Sequence, residues 1–241
     1  MSDPDDYMRY LEWKSWNESD FGRLQPLSAR YFEGELASQG VALKSGWRVL
    51  EIGFGNGEFL CHARDQGCTV VGTELNPELV KTARAAGYAA YTPESFEGAP
   101  DAGFDLIVLF DVLEHIPQDR LPAMLASLAA RLAPGGKIFC RFPNGDSPLG
   151  RPFQHGDMTH ITVIGEFKLN YLARAAGLNV VRFGGQFRVL PDRSFRTLLS
   201  YAMIRLMELL VERPIKSIFF RGWRFAVFSP NSVAVIARTV A

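Results

Sequence analysis

The chain has 241 residues, 26 of them basic and 26 acidic, and a formal net charge of zero. Balanced charge argues against a protein driven onto nucleic acid by its overall field, and a 47 % hydrophobic share with 22 % charged residues suits a globular protein with a sizeable core. The three cysteines, Cys61, Cys68 and Cys140, show no paired metal-ligand spacing and are too few for a disulfide framework, so a reducing compartment is expected.

The opening residues are acidic and carry no apolar stretch, so no secretory signal is read there. No apolar run reaches the ~18 residues of a spanning helix. A cytoplasmic protein is expected, peripheral to a membrane at most. The segment from Asp3 to Asp20 holds six acids, interleaved with Tyr7, Tyr10, Trp13 and Trp16, and reads as a short helix or lid. A second helix from Leu27 to Gln39 stops at Gly40. Together they make residues 1–44 an N-terminal helical lid.

From Trp47 the pattern changes to strand–helix alternation. Arg48–Ile52 is a strand running into a glycine turn, and Glu58–Gln66 a helix stopped by Gly67. Thr69–Thr73 is the second strand, followed by a helix that opens with Pro77 and ends at Gly87. Tyr88–Tyr91 is a short third strand and Asp105–Phe110 a buried fourth. The helix Arg120–Leu132 closes at Ala133-Pro-Gly-Gly136, before a strand at Lys137–Phe142. A helix over Val163–Ala176 leads to the strand Leu178–Phe183, and Ser232–Ala237 is the last strand. Such alternation predicts an α/β fold with a mainly parallel sheet covered on both faces. The chain reads as one domain, with a core over 45–184, a helical insertion over 185–231 and the last strand in 232–241.

Val49-Leu-Glu51-Ile-Gly53-Phe54-Gly55-Asn-Gly57 carries the strongest signal. A buried strand enters a turn with three glycines at alternate positions, where positive φ and a close backbone approach to a ligand are allowed. In open parallel sheets ligands sit beyond the carboxyl ends of the strands, where this turn lies. A dinucleotide fingerprint needs G-x-G-x-x-G, whereas here Glu58 stands in the third glycine's place. Glu51 puts a carboxylate before the loop, which repels a pyrophosphate and suits a ligand with an ammonium and a sulfonium. Glu74 ends the second strand about 20 residues on, where an acid can accept both ribose hydroxyls.

These residues, with Phe104-Asp105-Leu-Ile-Val, Asp111-Val-Leu-Glu-His115-Ile and Leu132-Ala-Pro-Gly-Gly136-Lys in order, resemble the class I S-adenosylmethionine-dependent methyltransferases of the ubiquinone-methyltransferase-like type over residues 45–185. The resemblance implies a Rossmann-like, seven-stranded, mainly parallel sheet, S-adenosyl-L-methionine as cofactor, and a helical insertion before the last strand. It implies that Gly53, Phe54, Gly55 and Gly57 lie under the methionine part of the cofactor. Glu51 orders that loop or its ammonium, Glu74 holds the ribose, and Leu75 packs on adenine. Glu94, Ser95 and Phe96 fall where an adenine edge is met, without a fixed motif, and Asp111 and Val112 fall where backbone meets the methionine moiety.

Methyl transfer from a sulfonium is an in-line displacement that rewards alignment and exclusion of water, and a hydroxyl acceptor also needs a base. Of four histidines, His62 lies within a helix and reads as a surface or packing residue. His115 sits in the Leu-Glu-His-Ile element beside the expected pocket, in a structural or catalytic role. His155 and His160, with Asp157 between them, fall in the loop after the fifth strand. They read as a general base tuned by Asp157, as a divalent-metal site, or as a helix cap at His160 with His155 lining the loop; no metal ligand is assigned.

The insertion holds an apolar helix over Leu198–Val211, many arginines and a run of aromatics. It reads as a cap over the acceptor pocket, as a segment touching anionic lipid, or as a homodimer interface. The expected activity is O-methylation of a small molecule or a glycan or lipid-linked acceptor, with no nucleic-acid partner. The O-acceptor preference rests on the His155/Asp157/His160 group and on the lack of an amine-methylating Asn/Asp-Pro-Pro-Tyr motif after the fourth strand. The alternatives are an N- or C-methyltransferase, a nicotinamide-dependent oxidoreductase disfavoured by the glycine spacing, and a silent cofactor-binding module acting through its insertion.

Overall fold

A computed structural model of the chain describes residues 20–98, 103–190, 192 and 194–239. The expected helix or lid over Asp3–Asp20 lies outside the described residues, except for Asp20 itself. Seven strands form one sheet in the order β3-β2-β1-β4-β5-β7-β6. In chain order they are β1 (Arg48–Ile52), β2 (Thr69–Thr73), β3 (Ala89–Tyr91), β4 (Phe104–Phe110), β5 (Leu132–Pro143), β6 (Leu178–Gly185) and β7 (Asn231–Arg238). All neighbours are parallel except β7, which runs antiparallel to both β5 and β6. The strand order reverses between β1 and β4, so the crevice beyond their carboxyl ends is where such sheets take ligands.

The helices are α1 (Pro26–Ser38), α2 (Glu58–Asp65), α3 (Pro77–Ala85), α4 (Leu121–Ala130), α5 (Arg151–His155), α6 (Glu166–Ala175), α7 (Phe195–Met207) and α8 (Arg213–Phe219). Phe104, Ile107, Leu109, Ile138, Cys140 and Phe142 anchor one core cluster with α4 and α6. Val49, Leu106, Val108 and Phe139 turn the other way, with Phe32 and Leu36 of α1 and Phe59 and Ala63 of α2. Period-two alternation therefore feeds helices on both faces. All three cysteines are buried and free. His62 is buried too, packed near the rings of Phe32 and Phe59.

Several element boundaries differ from those expected from the sequence. The fourth helix ends at Ala130 rather than Leu132, and Leu132 opens β5, paired with Phe104. The Pro-Gly-Gly run is absorbed as an irregularity between the Phe104 and Leu106 registers. Arg238 ends the helix early by donating to the carbonyls of Ala129, at 2.6 Å, and Leu132, at 3.0 Å. The helix expected from Val163 begins at Glu166, because Gly165 is extended and the Glu166 N–H is held by Asp146 Oδ2 at 2.6 Å.

The insertion carries its own structure, as its length requires. α7 passes through a π-turn at Glu208–Glu212 into α8, so the predicted helix is longer and starts earlier, at Phe195. Ser194 caps it, its hydroxyl accepting from the Thr197 N–H.

Candidate active site

The glycine turn leaves β1 with Gly53, Gly55 and Gly57 all in the left-handed region, at φ 69°, 51° and 73°. Side chains rarely tolerate that geometry. Added methyl groups would also collide: a Cβ on Gly53 falls 2.8 Å from Val112 Cγ2, and one on Gly57 falls 2.5 Å from the Phe21 ring. Four of the turn's amides are committed within the fold. Gly53 and Phe54 donate to Thr73 O, Gly57 donates to Phe54 O, and Gly55 donates to Glu74 Oε2 at 3.0 Å.

Carboxyl groups lie beside the turn. Glu51 is 3 % exposed, and its Oε2 has no hydrogen-bond partner among the described residues. Burial, and secondarily the charge of Glu74, push its carboxyl well above the usual range. Glu74 is also raised by burial, opposed by the Asn76 and Gly55 amides it accepts. A buried acid with one unpaired oxygen, beside a second acid, fits a cationic ligand, and an ammonium on Glu51 would satisfy that oxygen.

The remaining expected cofactor residues divide by orientation. Leu75 is 62 % exposed at the end of β2, available to stack on a flat ligand. Phe54 is buried, its ring lying where a Cβ on Gly72 would be, so only its backbone faces the turn. Ser95 is occupied closing a turn with Thr92, and Phe96 is buried under the Arg131 guanidinium, 4.2 Å from the ring centroid. Side-chain contact with an adenine edge therefore does not fall to Phe96, whose apolar ring serves the core.

Asp111 is the one non-glycine residue at positive φ among the described residues, at 55°. Its carboxylate is taken by Arg141, whose Nε lies 2.9 Å from Oδ1 and whose Nη2 bonds Oδ2. The chain of contacts continues inward. Arg141 Nη1 donates to the Tyr31 hydroxyl, which donates to Glu35 at 2.7 Å. Glu35 is fully buried and accepts the Phe187 amide, while Gln186 reaches Tyr31 at 3.3 Å. A cavity of ≈ 350 Å³ opens beside this network, lined by Leu27, Ser28, Tyr31, Glu58, Arg141 and Val189. These residues escaped the sequence reading. The available signal was Arg141 itself, a charge inside the apolar strand Lys137–Phe142.

The histidines separate into a cluster and an outlier. His115 and His160 stack edge to face with ring centroids 4.7 Å apart. The Nδ1–H of His160 meets the Phe153 carbonyl at 2.9 Å, so its Nε2 faces Asp157 Oδ2 at 3.6 Å and Glu114 Oε1 at 3.9 Å. Thr159 donates its hydroxyl to Asp157 and lies 3.0 Å from His115 Nδ1. Glu114 is 1 % exposed with neither oxygen hydrogen-bonded among the described residues, and burial followed by the negative charge of Asp111 lifts it to about 8. His155 sits exposed at the end of α5 with no hydrogen bond or ion pair among the described residues. The helix-cap reading of His160 does not hold, since Gly165 is the residue before α6. Glu114, His115 and His160 each bring one donor atom within 4.8 Å of the others, a set with the chemistry to hold a divalent ion.

An open sheet reversing at β1/β4 with a glycine turn at the reversal is a doubly wound, cofactor-binding fold, and the acids Glu51 and Glu74 beside the turn suit a cationic ligand. A family model described as a methyltransferase domain matches residues 16–182. The chain belongs to this family, the class I S-adenosylmethionine-dependent methyltransferases, and S-adenosylmethionine is the cofactor its site serves. A ubiquinone biosynthesis O-methyltransferase of Xanthomonas oryzae pv. oryzae (strain PXO99A) is 33 % identical over 103 residues, covering 39 % of this chain and 42 % of that protein. The namesake from Xylella fastidiosa (strain 9a5c) is 36 % identical over 103 residues, covering 39 % and 41 %. The chain thus spans less than half the length of these relatives. A SAM-dependent methyltransferase structure from Archaeoglobus fulgidus superposes with a TM-score of 0.61 at 20 % identity, covering 97 % of this chain and 99 % of that one, a likeness of fold.

Proposed function

We propose that the chain methylates an oxygen of a small-molecule, glycan or lipid-linked acceptor, with His160 as the general base. The observation that carries this reading is the placement of His160 Nε2 3.6 Å from Asp157 and 3.9 Å from Glu114, beyond the carboxyl end of β4. A proton removed from an acceptor hydroxyl and placed there would be held by two carboxyl groups. His115, tied through Thr159 to Asp157, orients the pair. The naming of the matched relatives as O-methyltransferases supports the same choice of atom.

When bound, the cofactor supplies an electrophilic methyl group on a sulfonium. Glu51 and the turn from Gly53 to Gly57 would hold its amino-acid end, Glu74 the ribose and Leu75 the base, with Asp111 and Val112 contributing backbone. Arg141 and Tyr31 line the adjoining cavity and would position the acceptor. The reading is tested by incubating the enzyme with methyl-deuterated cofactor and panels of phenols, sugars and amines, then locating the label by mass spectrometry and NMR. Label on oxygen, lost in His160→Ala, is expected. Label on nitrogen or carbon overturns the acceptor assignment.

A further inference from the structure

The face of α7 that points away from the fold is apolar. Phe195, Leu199, Met203, Leu206 and Leu210 recur at steps of three and four, which puts them on one side of the helix and its π-turn. They are 79, 50, 50, 44 and 61 % exposed. The opposite side, with Tyr201, Ile204 and Glu208 half-buried and Glu212 buried, is the one turned towards the fold. No residue of this thirteen-residue helix is buried. This inverts the usual arrangement of a surface helix, whose apolar stripe faces the core, and exposed apolar patches of this kind mark docking sites.

Charge identifies the occupant. Arg196 follows Phe195 and Arg205 precedes Leu206, and both are exposed; Arg205 shares Glu208 with Arg188, so that group of three keeps one net positive charge. Arg213, at the start of α8, is exposed as well. The acids of this segment are turned to other work. Glu208 bonds Arg188 at 2.5 Å and Arg205 at 2.8 Å, Glu212 pairs with Lys216 at 3.7 Å, and Asp192 bonds the Ser194 amide before the helix. The outward surface therefore offers bulky apolar and cationic groups together. A second copy would bring the same excess of cations to the contact. An anionic bilayer would take the side chains into its acyl boundary and neutralise the arginines.

We infer that the α7–α8 insertion docks the protein on an anionic lipid surface, with Phe195, Leu199, Met203, Leu206 and Leu210 inserted and Arg196 and Arg205 at the headgroups. The insertion leaves the sheet at the carboxyl end of β6, the end that carries the glycine turn. Docking thus brings the catalytic crevice to the membrane. The docking does not depend on methyl transfer, but drawing an acceptor from the bilayer rests on the function proposed above.

The test is flotation of the full chain with mixed phosphatidylglycerol–phosphatidylcholine vesicles and with pure phosphatidylcholine vesicles, at low and high salt. Binding to the anionic vesicles alone, weakened by salt, is expected. The double variant Arg196→Glu/Arg205→Glu should weaken partitioning roughly 25-fold or more, at about fivefold for each basic residue removed, and Leu199→Glu/Leu206→Glu should abolish it. S-adenosylhomocysteine binding by calorimetry, unchanged in both variants, shows that they remain folded. Failure of the wild type to float with anionic vesicles at low salt overturns the inference, as does equal binding to neutral vesicles. A dimer seen by sedimentation velocity that Leu199→Glu/Leu206→Glu dissociates would overturn it in favour of a second copy. Loss of cofactor binding in the wild type would count against the methyltransferase site and leave the flotation result standing.

Discussion

The guanidinium of Arg141 closes on both carboxylate oxygens of Asp111, joining the carboxyl ends of β4 and β5 at the floor of the crevice. The backbone repeats the link, with the Asp111 N–H donating to the Arg141 carbonyl at 3.0 Å. A forked cation is suited to this task because it holds a strained residue, φ 55°, in a single orientation. Arg141→Met should therefore cost about 2–4 kcal/mol of unfolding free energy, below the top of the range for buried pairs because the Asp111 side chain is 43 % exposed. Arg141→Lys should recover little of it, since an ammonium cannot make the paired contact. Urea denaturation of the two variants checks both statements.

Glu51 should show a pH signature of its own. Burial raises its carboxyl well above the usual 4.5, so the folded protein holds that proton more tightly than the unfolded chain. The stability tied to it is complete below about 4.5 and declines as pH climbs towards the folded value. Glu51→Gln keeps the group neutral, so without ligand its melting temperature should gain on the wild type as pH rises from 4.5. The same variant should bind S-adenosylhomocysteine roughly 10- to 100-fold more weakly, the worth of a charged hydrogen bond. A constant difference in melting temperature across pH would show that the buried carboxyl is not the origin.

Gly57→Ala combines a left-handed backbone with a methyl group directed at the Phe21 ring. A loss of roughly 1–2 kcal/mol from the backbone alone is expected, with weakened cofactor binding if the turn shifts to relieve the contact. Gly87→Ala has the same sign of φ, 85°, but meets nothing within 4 Å. It should show the backbone cost without the binding defect. Calorimetry on the two variants separates the effects.

The three loop-region histidines should behave unequally. His160→Ala is expected to lower kcat by about 10²–10⁴, with S-adenosylhomocysteine affinity within a few fold of wild type. His115→Ala should fall between His160→Ala and His155→Ala, the last leaving turnover close to wild type. Single-turnover kinetics on any accepted hydroxyl substrate would decide, and an inactive His155→Ala would contradict the cluster seen here.

Local chemistry explains how much could be read in advance. The strand before Gly53, the proline-started helix at Pro77 and the apolar run to Phe110 are written in short patterns, and all appear in place. Glu51, Glu74 and the three glycines stand together because one turn and one neighbouring strand end hold them. The network from Asp111 through Arg141 and Tyr31 to Glu35 joins α1, β4 and β5, and no spacing rule connects residues so far apart. The position of Phe96 along the chain suggests a contact with adenine, and only packing shows its ring committed beneath Arg131. The pairing of His115 with His160 is likewise tertiary, although both residues were conspicuous one at a time.

The reversed direction of β7 has a consequence for how such a chain can diversify. Gly185 at the end of β6 is in register with Ser232 near the start of β7, so the 185–231 segment leaves and re-enters the sheet at hydrogen-bonded neighbours. A connection between fixed neighbours can lengthen cheaply, each doubling adding only about 0.6 kcal/mol of closure cost. Its two attachment points remain at the rim of the crevice whatever is placed between them. The hairpin is therefore a grafting point, at which a new recognition module can be exchanged while the donor half of the enzyme keeps its strands, its glycine turn and its paired acids.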